Sequence, residues 1–129
     1  MANESGKVNL FREALIEVKF SAGASIECVV DTGFDGGLML PRTLADGLQI
    51  QLLGELVFEM VGGARMSAPV GLANIEWLNK AREIEVIPGG GNDVLIGTEL
   101  LAGTSLTIDY TSSVVTISDR PNHPAKFYS

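Results

Sequence analysis

The feature that most constrains this chain is a succession of short segments in which apolar residues occupy every second position. Residues 16–20 and 26–30 both follow this pattern, and the residues at 21–24 between them favour a turn. In a β-strand, successive side chains point to opposite faces, so a period of two marks a strand with one buried face. Residues 106–110 and 114–117 repeat the pattern on either side of another turn. We therefore expect a mainly β fold built from hairpins rather than a helical bundle.

The size and composition of the chain fit one domain. Of its 129 residues, 46% are hydrophobic, which is enough to bury one core and leaves little material for a second. Fifteen glycines and an aromatic content of 6% agree with a β protein rich in turns.

Further elements follow from turn and capping signals. After a short apolar strand at 38–40, Pro41 precedes a predicted helical segment at 42–47. Gly62 and Gly63 predict the tight turn of a hairpin, because glycine adopts positive φ angles without strain. Thr98 is the predicted N-cap of a short helix that ends at Gly103. The other predicted strands are 56–61 and 65–70, 73–77 and 82–87, and 94–97.

Charge, cysteine content and hydropathy narrow the classes of function. A net charge of −7 opposes binding to nucleic acid or to an anionic membrane, since both would repel the chain. Cys28 is the single cysteine, so no disulfide can form within the chain and a reducing compartment is expected. The first residues are polar, and no apolar run approaches the length of a membrane span. We therefore expect a soluble, cytoplasmic protein that binds neither nucleic acid nor membrane.

The residues that carry chemistry follow the second strand of the first hairpin. This strand ends in two valines, and the triplet Asp31-Thr32-Gly33 comes next, in a loop rich in glycine. Metal-free hydrolysis of a peptide needs one group that takes a proton from water and another that protonates the carbonyl oxygen. Two adjacent carboxyls that share one proton supply both. The triplet occurs once, so the second carboxyl would come from another copy of the chain across a two-fold axis.

Two motifs together resemble the retropepsin-like, single-domain aspartic proteases. They are Val29-Val30-Asp31-Thr32-Gly33 and, later, Leu95-Ile96-Gly97-Thr98-Glu99-Leu100-Leu101. The Gly62-Gly63 hairpin lies between them, where this family carries its flap. Phe34 after the triplet is most similar to a bacterial and archaeal branch with Asp-Thr-Gly-Phe. The resemblance covers residues 13–118 as the protease domain, preceded by a polar segment at 1–12 and followed by a tail at 119–129.

This resemblance implies a closed β-barrel of the acid-protease type with one or two short helices, and a homodimer as the active form. Asp31 from each copy would activate a water molecule that hydrolyses a peptide bond, without a metal or another cofactor. Thr32 would hydrogen-bond to its mate in the dyad, and the Gly33 carbonyl would accept a substrate N–H. Gly62 and Gly63 would form the flap tip over an extended peptide or protein substrate.

Two positions depart from the retroviral pattern of this family. Phe34 replaces a small residue, and its ring is expected to narrow or reshape a substrate subsite beside the dyad. Asp35 matches a position that contacts the substrate backbone and pairs with an arginine, but Thr98 occupies the place of that arginine. The terminal segments that join retroviral dimers have no clear counterpart, which predicts a differently built interface.

Other interpretations of the same residues stay open. A non-catalytic retropepsin-like module for dimerisation or peptide binding would fit the motifs, and an unrelated β-barrel binding domain would fit the strands. The triplet alone is also typical of a turn after a strand. Cys28 lies on the apolar face of its strand, so we expect a buried thiol rather than a nucleophile. His123, the only histidine, lies in the tail, which argues against a metal cluster and Ser-His-Asp catalysis.

Overall fold

The structure, a computed structural model, describes residues 2–48 and 50–119, including the backbone but not the side chain of Phe58. His123 and the rest of the predicted tail from residue 120 lie outside this part of the chain. The described residues form a mainly β fold, as the alternating pattern predicted, and none of their helices has the length and apolar character needed to cross a membrane. The elements are β1 (Asn3–Val8), β2 (Ala14–Phe20), β3 (Ser25–Val30), β4 (Leu38–Pro41), α1 (Arg42–Gly47), β5 (Gln51–Glu59), β6 (Arg65–Trp77), β7 (Lys80–Gly89), β8 (Leu95–Ile96), α2 (Thr98–Leu101), β9 (Ser105–Asp109) and β10 (Val114–Ser118).

The strands of the described residues belong to one sheet, in the order β5-β6-β7-β4-β8-β3-β2-β1-β10-β9. Most neighbours are antiparallel, but β3 pairs in parallel with β8, and β4 pairs in parallel with β7. An additional antiparallel pairing joins Lys19 and Phe20 of β2 to β6. β3 and β4 follow each other in the chain, yet β8 lies between them in the sheet. The loop that joins β3 to β4 therefore lies beside a strand from much later in the chain.

The core forms from the apolar faces of the alternating strands. In β2, Ile16 and Val18 are at most 1% exposed, while the charged residue between them faces solvent. Cys28 of β3 is also buried, as its position in the pattern predicted. Burial of each large apolar side chain contributes about 1.5–3 kcal/mol. Other fully buried side chains come from β4, β6, β7, β8, α2 and β10, namely Leu38, Leu40, Ile75, Ile84, Val86, Ile96, Leu100, Val115 and Ile117.

One strand lies where none was predicted. The polar segment at 1–12, expected to precede the domain, contains β1, which pairs with β10 over residues 3–7 and with β2 at Lys7 and Val8. The side chains of β1 alternate between exposed and half-buried, and Val8 is its only large apolar residue. β1 is therefore a strand because it hydrogen-bonds between two neighbours, and it has no strong apolar face that the sequence could have revealed.

The middle region also differs from the prediction. Segments 65–70 and 73–77, expected as strands of two separate hairpins, form the single strand β6. β6 pairs with β5 up to Leu72 and with β7 from Gly71 onwards, so two hairpins share it. Pro69 and Gly71 usually interrupt strands, which is why the sequence pattern indicated a boundary there.

Candidate active site

Asp31 stands immediately after β3, where β8 fixes the backbone. Its N–H donates to the carbonyl of Ile96 at 2.9 Å, and the N–H of Val29 donates to the carbonyl of Val94 at 2.8 Å. The side chain of Asp31 is half-buried. The parallel pairing of β3 with β8 thus makes the two sequence motifs neighbours in the structure.

The carboxylate of Asp31 has one anchored and one open oxygen. Oδ1 accepts a hydrogen bond from the N–H of Gly33 at 2.9 Å, in the Asx-type turn that these residue types favour. Among residues 2–48 and 50–119, Oδ2 has no hydrogen-bond partner and the carboxylate has no ion-pair partner. The open oxygen is therefore available to a water molecule or to a second carboxyl.

Helix α2 holds the loop that carries Asp31. The first N–H groups of a helix have no acceptor within the helix itself. Here the N–H groups of Gly97, Thr98 and Glu99 donate to the carbonyls of loop residues 37, 34 and 36, at 2.8, 2.8 and 3.1 Å. The second motif therefore positions the first through three backbone hydrogen bonds.

The start of α2 corrects the sequence prediction. Thr98 was predicted as the N-cap, but it lies inside the helix, and Gly97 is the N-cap without any side-chain hydrogen bond. The carbonyls of the Asp31 loop take the place of a capping hydroxyl, and no local sequence signal marks them. Trp77 and Arg82 fix α2 from the other side, because their side-chain N–H groups donate to its carbonyls at 3.2 and 3.1 Å.

Phe34 packs against two glycines beside the loop. A Cβ atom on Gly36 would lie 2.6 Å from Cζ of the ring, and one on Gly97 would overlap the carbonyl of Gly36. The half-buried ring therefore fills space that glycine at both positions leaves free. The expected effect of this ring on a substrate subsite stays a prediction.

The remaining polar groups of the loop are open to solvent. Thr32, Gly33 and Asp35 are all exposed. Asp35 forms no ion pair with any described residue, in line with the threonine at position 98. The Thr32 hydroxyl likewise has no partner within the described ranges. Their roles in a dyad and in substrate contacts stay predictions.

A groove of about 450 Å³ opens beside Thr32, and we call it the Thr32 groove. Its walls come from α2, from the turn after it and from the start of β9. This surface was not predicted from the sequence. The leucine pair of the second motif was the available signal, because a short helix of this kind buries only one of two consecutive leucines: Leu100 is buried, whereas Leu101 is half-buried. The lining residues are Thr32, Thr98, Leu101, Ala102, Thr104 and Leu106.

The hairpin of β5 and β6 carries the predicted flap tip. Gly62 and Gly63 have φ angles of 97° and 88°, which confirms the positive φ predicted for this turn. The N–H of Met60 donates to the carbonyl of Ala64 at 2.7 Å, so the loop contains three residues rather than the two of the tightest hairpins. Within the described residues, neither glycine hydrogen-bonds to the Asp31 loop. Their role as a flap over that loop stays a prediction.

A larger cavity, of about 480 Å³, lies at the ends of β4 and β7 and contains none of the predicted site residues. Among the described residues that line it, Arg42 alone has an ionisable side chain, and none supplies a carboxylate for hydrolysis. Asp31 as the centre of the site stays a prediction. The residues that line the larger cavity are Pro41, Arg42, Thr43, Ser67, Ala68, Pro69, Pro88, Gly89, Gly90, Gly91 and Asn92.

The local structure explains the shifted pKa values of two other titratable residues, Asp109 and Cys28. Asp109 accepts backbone hydrogen bonds from Ser112 and Thr111 in the turn after β9, and these bonds lower the pKa of its carboxyl. Burial, with a smaller contribution from Glu27, raises the pKa of the Cys28 thiol to about 12. The thiol therefore stays protonated near neutral pH. No group of three or more His, Cys, Asp and Glu residues within the described ranges could hold a metal ion.

Of the comparisons with known proteins, only the comparison with solved structures finds matches. No protein-family model matches the chain. A comparison with curated protein sequences likewise finds no match.

Among solved structures, the chain is similar to a retropepsin-like aspartic protease from Rickettsia conorii, with a TM-score of 0.67, 19% identity and coverage of 89% of each chain. The solution structure of Simian Foamy Virus (mac) protease gives a TM-score of 0.51 at 11% identity, over 67% of this chain and 90% of that one. The foamy viral protease-reverse transcriptase, in complex with an RNA/DNA hybrid, gives 0.50 at 16% identity, over 69% of this chain and 11% of that one. The chain therefore has the retropepsin-like fold.

Proposed function

We propose that the chain is an aspartic endopeptidase whose active site is assembled from Asp31 of two copies. The observation that carries this proposal is the state of the Asp31 carboxylate at the end of β3. One oxygen is oriented by the Gly33 amide at 2.9 Å, and the other has no partner among the described residues. The retropepsin-like fold supports the proposal, because two of the similar structures are proteases.

The reaction requires two carboxyls that share one proton. The ionised carboxyl takes a proton from water as the water oxygen attacks the peptide carbonyl carbon, and the protonated carboxyl gives its proton to the carbonyl oxygen. As the tetrahedral intermediate collapses and its C–N bond breaks, the carboxyl that took the proton from water gives it to the amine nitrogen, and one hydroxyl of the intermediate returns its proton to the other carboxyl. Two carboxyls about 3 Å apart cannot both ionise easily, so such a pair titrates as a unit.

The loop residues supply the remaining contacts. The exposed Thr32 hydroxyl lies at the groove beside α2 and can bond to the second copy beneath the carboxyl pair. The exposed Gly33 leaves its carbonyl open to the N–H of an extended substrate. Phe34 and Asp35 border the substrate. Gly62 and Gly63 close over it and exclude water.

The proposal includes a closed β-barrel around the site. The ring β6-β7-β4-β8-β3-β2 is supported by the extra pairing of β2 with β6 at Lys19–Glu76 and Phe20–Ile75. A closed sheet has fewer free edges and resists bending. Such a wall would keep β3 and β8, and with them Asp31, in a fixed position.

The test compares the wild-type protein with Asp31→Asn on a diverse peptide pool between about pH 3.5 and about pH 7. New peptide termini are counted by mass spectrometry, and the oligomeric state of both proteins is measured by sedimentation. We expect cleavage by the wild type, no cleavage above background by the variant, and dimers of both. Equal cleavage by the two proteins would contradict the assignment of Asp31. A dimer that cleaves nothing would favour the non-catalytic module for dimerisation or peptide binding.

A further inference from the structure

We propose that the second copy docks along the outer edge of β9, which has no partner strand among the described residues, antiparallel to the same strand of the first copy and with the two-fold axis at Thr107. This inference rests on the proposed function, because a lone Asp31 is an incomplete site without that copy. The result would be a continuous sheet across the dimer, with β10 and β1 behind β9 on each side.

The two edge strands of the described sheet differ in their suitability for pairing. β5 has an irregular register between Leu52 and Gly54, and two glutamates, Glu55 and Glu59, project from it. Bulges and charges of this kind protect an edge from pairing with another chain. β9 has a regular register with β10, and its residues from Ser105 to Ile108 carry no charge. β9 therefore lacks the features that would prevent strand addition.

The hydrogen-bond phase of β10 shows which groups of β9 point outwards. The N–H of Val8 donates to the carbonyl of Ser113 at 3.0 Å, so residues 113, 115 and 117 direct their backbone groups towards β1. Antiparallel strands alternate between hydrogen-bonded and non-hydrogen-bonded pairs. Residues 114, 116 and 118 therefore face β9 and bond to residues 109, 107 and 105. The N–H and C=O groups of Leu106 and Ile108 consequently face the free edge.

These outward groups are self-complementary around one position. With the axis at Thr107, Leu106 of each copy lies opposite Ile108 of the other, and each of these two pairs exchanges two N–H···O bonds. A shift to either side leaves one of the outward residues without its counterpart. Thr107 then lies opposite itself in a non-hydrogen-bonded pair, where the Cα atoms are about 4.5 Å apart.

One further observation favours a second copy as the occupant of this edge, and another favours the edge of β9 over that of β5. Leu106 lines the Thr32 groove, so the edge borders the triplet whose carboxyl lacks a mate. Each copy has a net charge of −7, and two such chains repel each other. A contact through the uncharged part of β9 keeps this repulsion away from the interface.

Disulfide trapping tests the register. In Thr107→Cys, the Cα atoms of position 107 in the two copies would be about 4.5 Å apart, within the 4.4–6.8 Å range that a disulfide requires. The native Cys28 is buried and does not compete. Val57→Cys is the matched control, since Val57 is exposed on the other edge strand. Under mild oxidation we expect a covalent dimer of Thr107→Cys and none of Val57→Cys. A covalent dimer of Val57→Cys alone would overturn the inference.

Insertion of a charge at position 107 tests the same contact without forming a covalent bond. Thr107→Asp would place two carboxylates opposite each other, so we expect its dimer dissociation constant, measured by sedimentation, to rise at least about tenfold. Thr107→Val keeps the shape and should leave that constant unchanged. Ser25→Asp adds the same charge at an exposed position of β3 and controls for net charge.

The outcomes separate this inference from the proposed function. A wild-type dimer that survives Thr107→Asp, without trapping at position 107, would overturn the β9 interface and leave the Asp31 pair intact. Trapping at position 107 without cleavage of any peptide would support the interface and contradict the protease. A strictly monomeric wild type would overturn both.

Discussion

At the scale of the residue, the site depends on close contacts that no local pattern reveals. The sequence pointed to Asp31 because Asp-Thr-Gly follows two valines at the end of a strand and a second motif, Leu95-Ile96-Gly97, comes later in the chain. It did not reveal that amides at the start of α2 hold the loop, because those bonds join residues sixty or more positions apart. It also did not reveal that Phe34 fills the space over Gly36 and Gly97. Both facts depend on the pairing of β3 with β8.

Gly97 provides a test of this packing. In Gly97→Ala the new Cβ would overlap the carbonyl of Gly36, so the loop or α2 must move. We expect the free energy of unfolding, measured by urea denaturation, to fall by about 1–3 kcal/mol, the usual cost of overpacking. Gly90→Ala is the control, since nothing lies within 4 Å of its Cβ position. Equal stability of the two variants would show that the loop does not need a glycine at position 97.

Cys28 gives a second test at this scale. Its thiol is 1% exposed, and burial raises its pKa to about 12. Because the thiolate is the reactive form, we expect no reaction with a disulfide reagent in the native protein at neutral pH and one equivalent after denaturation. Rapid labelling of the native protein, followed by absorbance, would contradict the buried position of β3.

At the scale of the element, predictions succeeded where one face of a strand is buried. β2, β3, β9 and β10 lie close to their predicted positions because alternation and burial agree in them. The boundary inside β6 was wrong, because Pro69 and Gly71 are tolerated where the strand passes from one partner to another. β1 was missed because its neighbours, and not its own apolar residues, make it a strand.

The predicted flap role of the β5–β6 hairpin can be tested with two glycine substitutions that cause similar backbone strain. Gly62 and Gly23 both have positive φ, at 97° and 113°, and both have free space around the Cβ position. Alanine at either position should cost about 1–2 kcal/mol of backbone strain. Gly23 lies in the turn before β3, at the opposite end of that strand from Asp31. We expect Gly62→Ala to lower kcat/KM by about tenfold or more and Gly23→Ala to leave it nearly unchanged. Equal effects on kcat/KM would count against a flap.

α2 has an electrostatic property that can be measured separately. Desolvation, with a smaller effect of Glu85 that Arg82 opposes, raises the pKa of Glu99 above its ordinary value of 4.5. A carboxyl with a raised pKa binds its proton more tightly in the folded state, so stability falls as the pH rises through that pKa. Glu99→Gln should therefore be more stable than the wild type near pH 7, by about 0.5 kcal/mol or less.

This advantage of Glu99→Gln should shrink at about pH 4, where the wild-type carboxyl is largely protonated. Urea denaturation at both pH values measures the difference. Glu83→Gln, at an exposed position of β7, is the control and should show no such change. An advantage that grows on acidification would contradict the direction of the pKa shift.

At the scale of the whole molecule, the order of the two motifs predicted the fold, and the structure places them side by side. The similar structures share the fold at 11–19% identity, which explains why motifs and strand pattern were informative while overall sequence comparison was not. The proposed β9 interface could not be derived from the sequence, because an unpaired edge is a property of the assembled sheet. A single copy contains one Asp-Thr-Gly triplet, so an active site with two Asp31 carboxyls would require two copies.

The most direct test mixes wild-type protein with Asp31→Asn at constant total concentration, after both have been shown by sedimentation to dimerise equally well. Once the subunits have exchanged, peptide cleavage should fall with the square of the wild-type fraction. At equal parts, about a quarter of the activity should remain, because only wild-type pairs contain two carboxyls. Activity that falls in direct proportion, to about half at equal parts, would mean that each copy acts alone and would contradict a shared Asp31 pair.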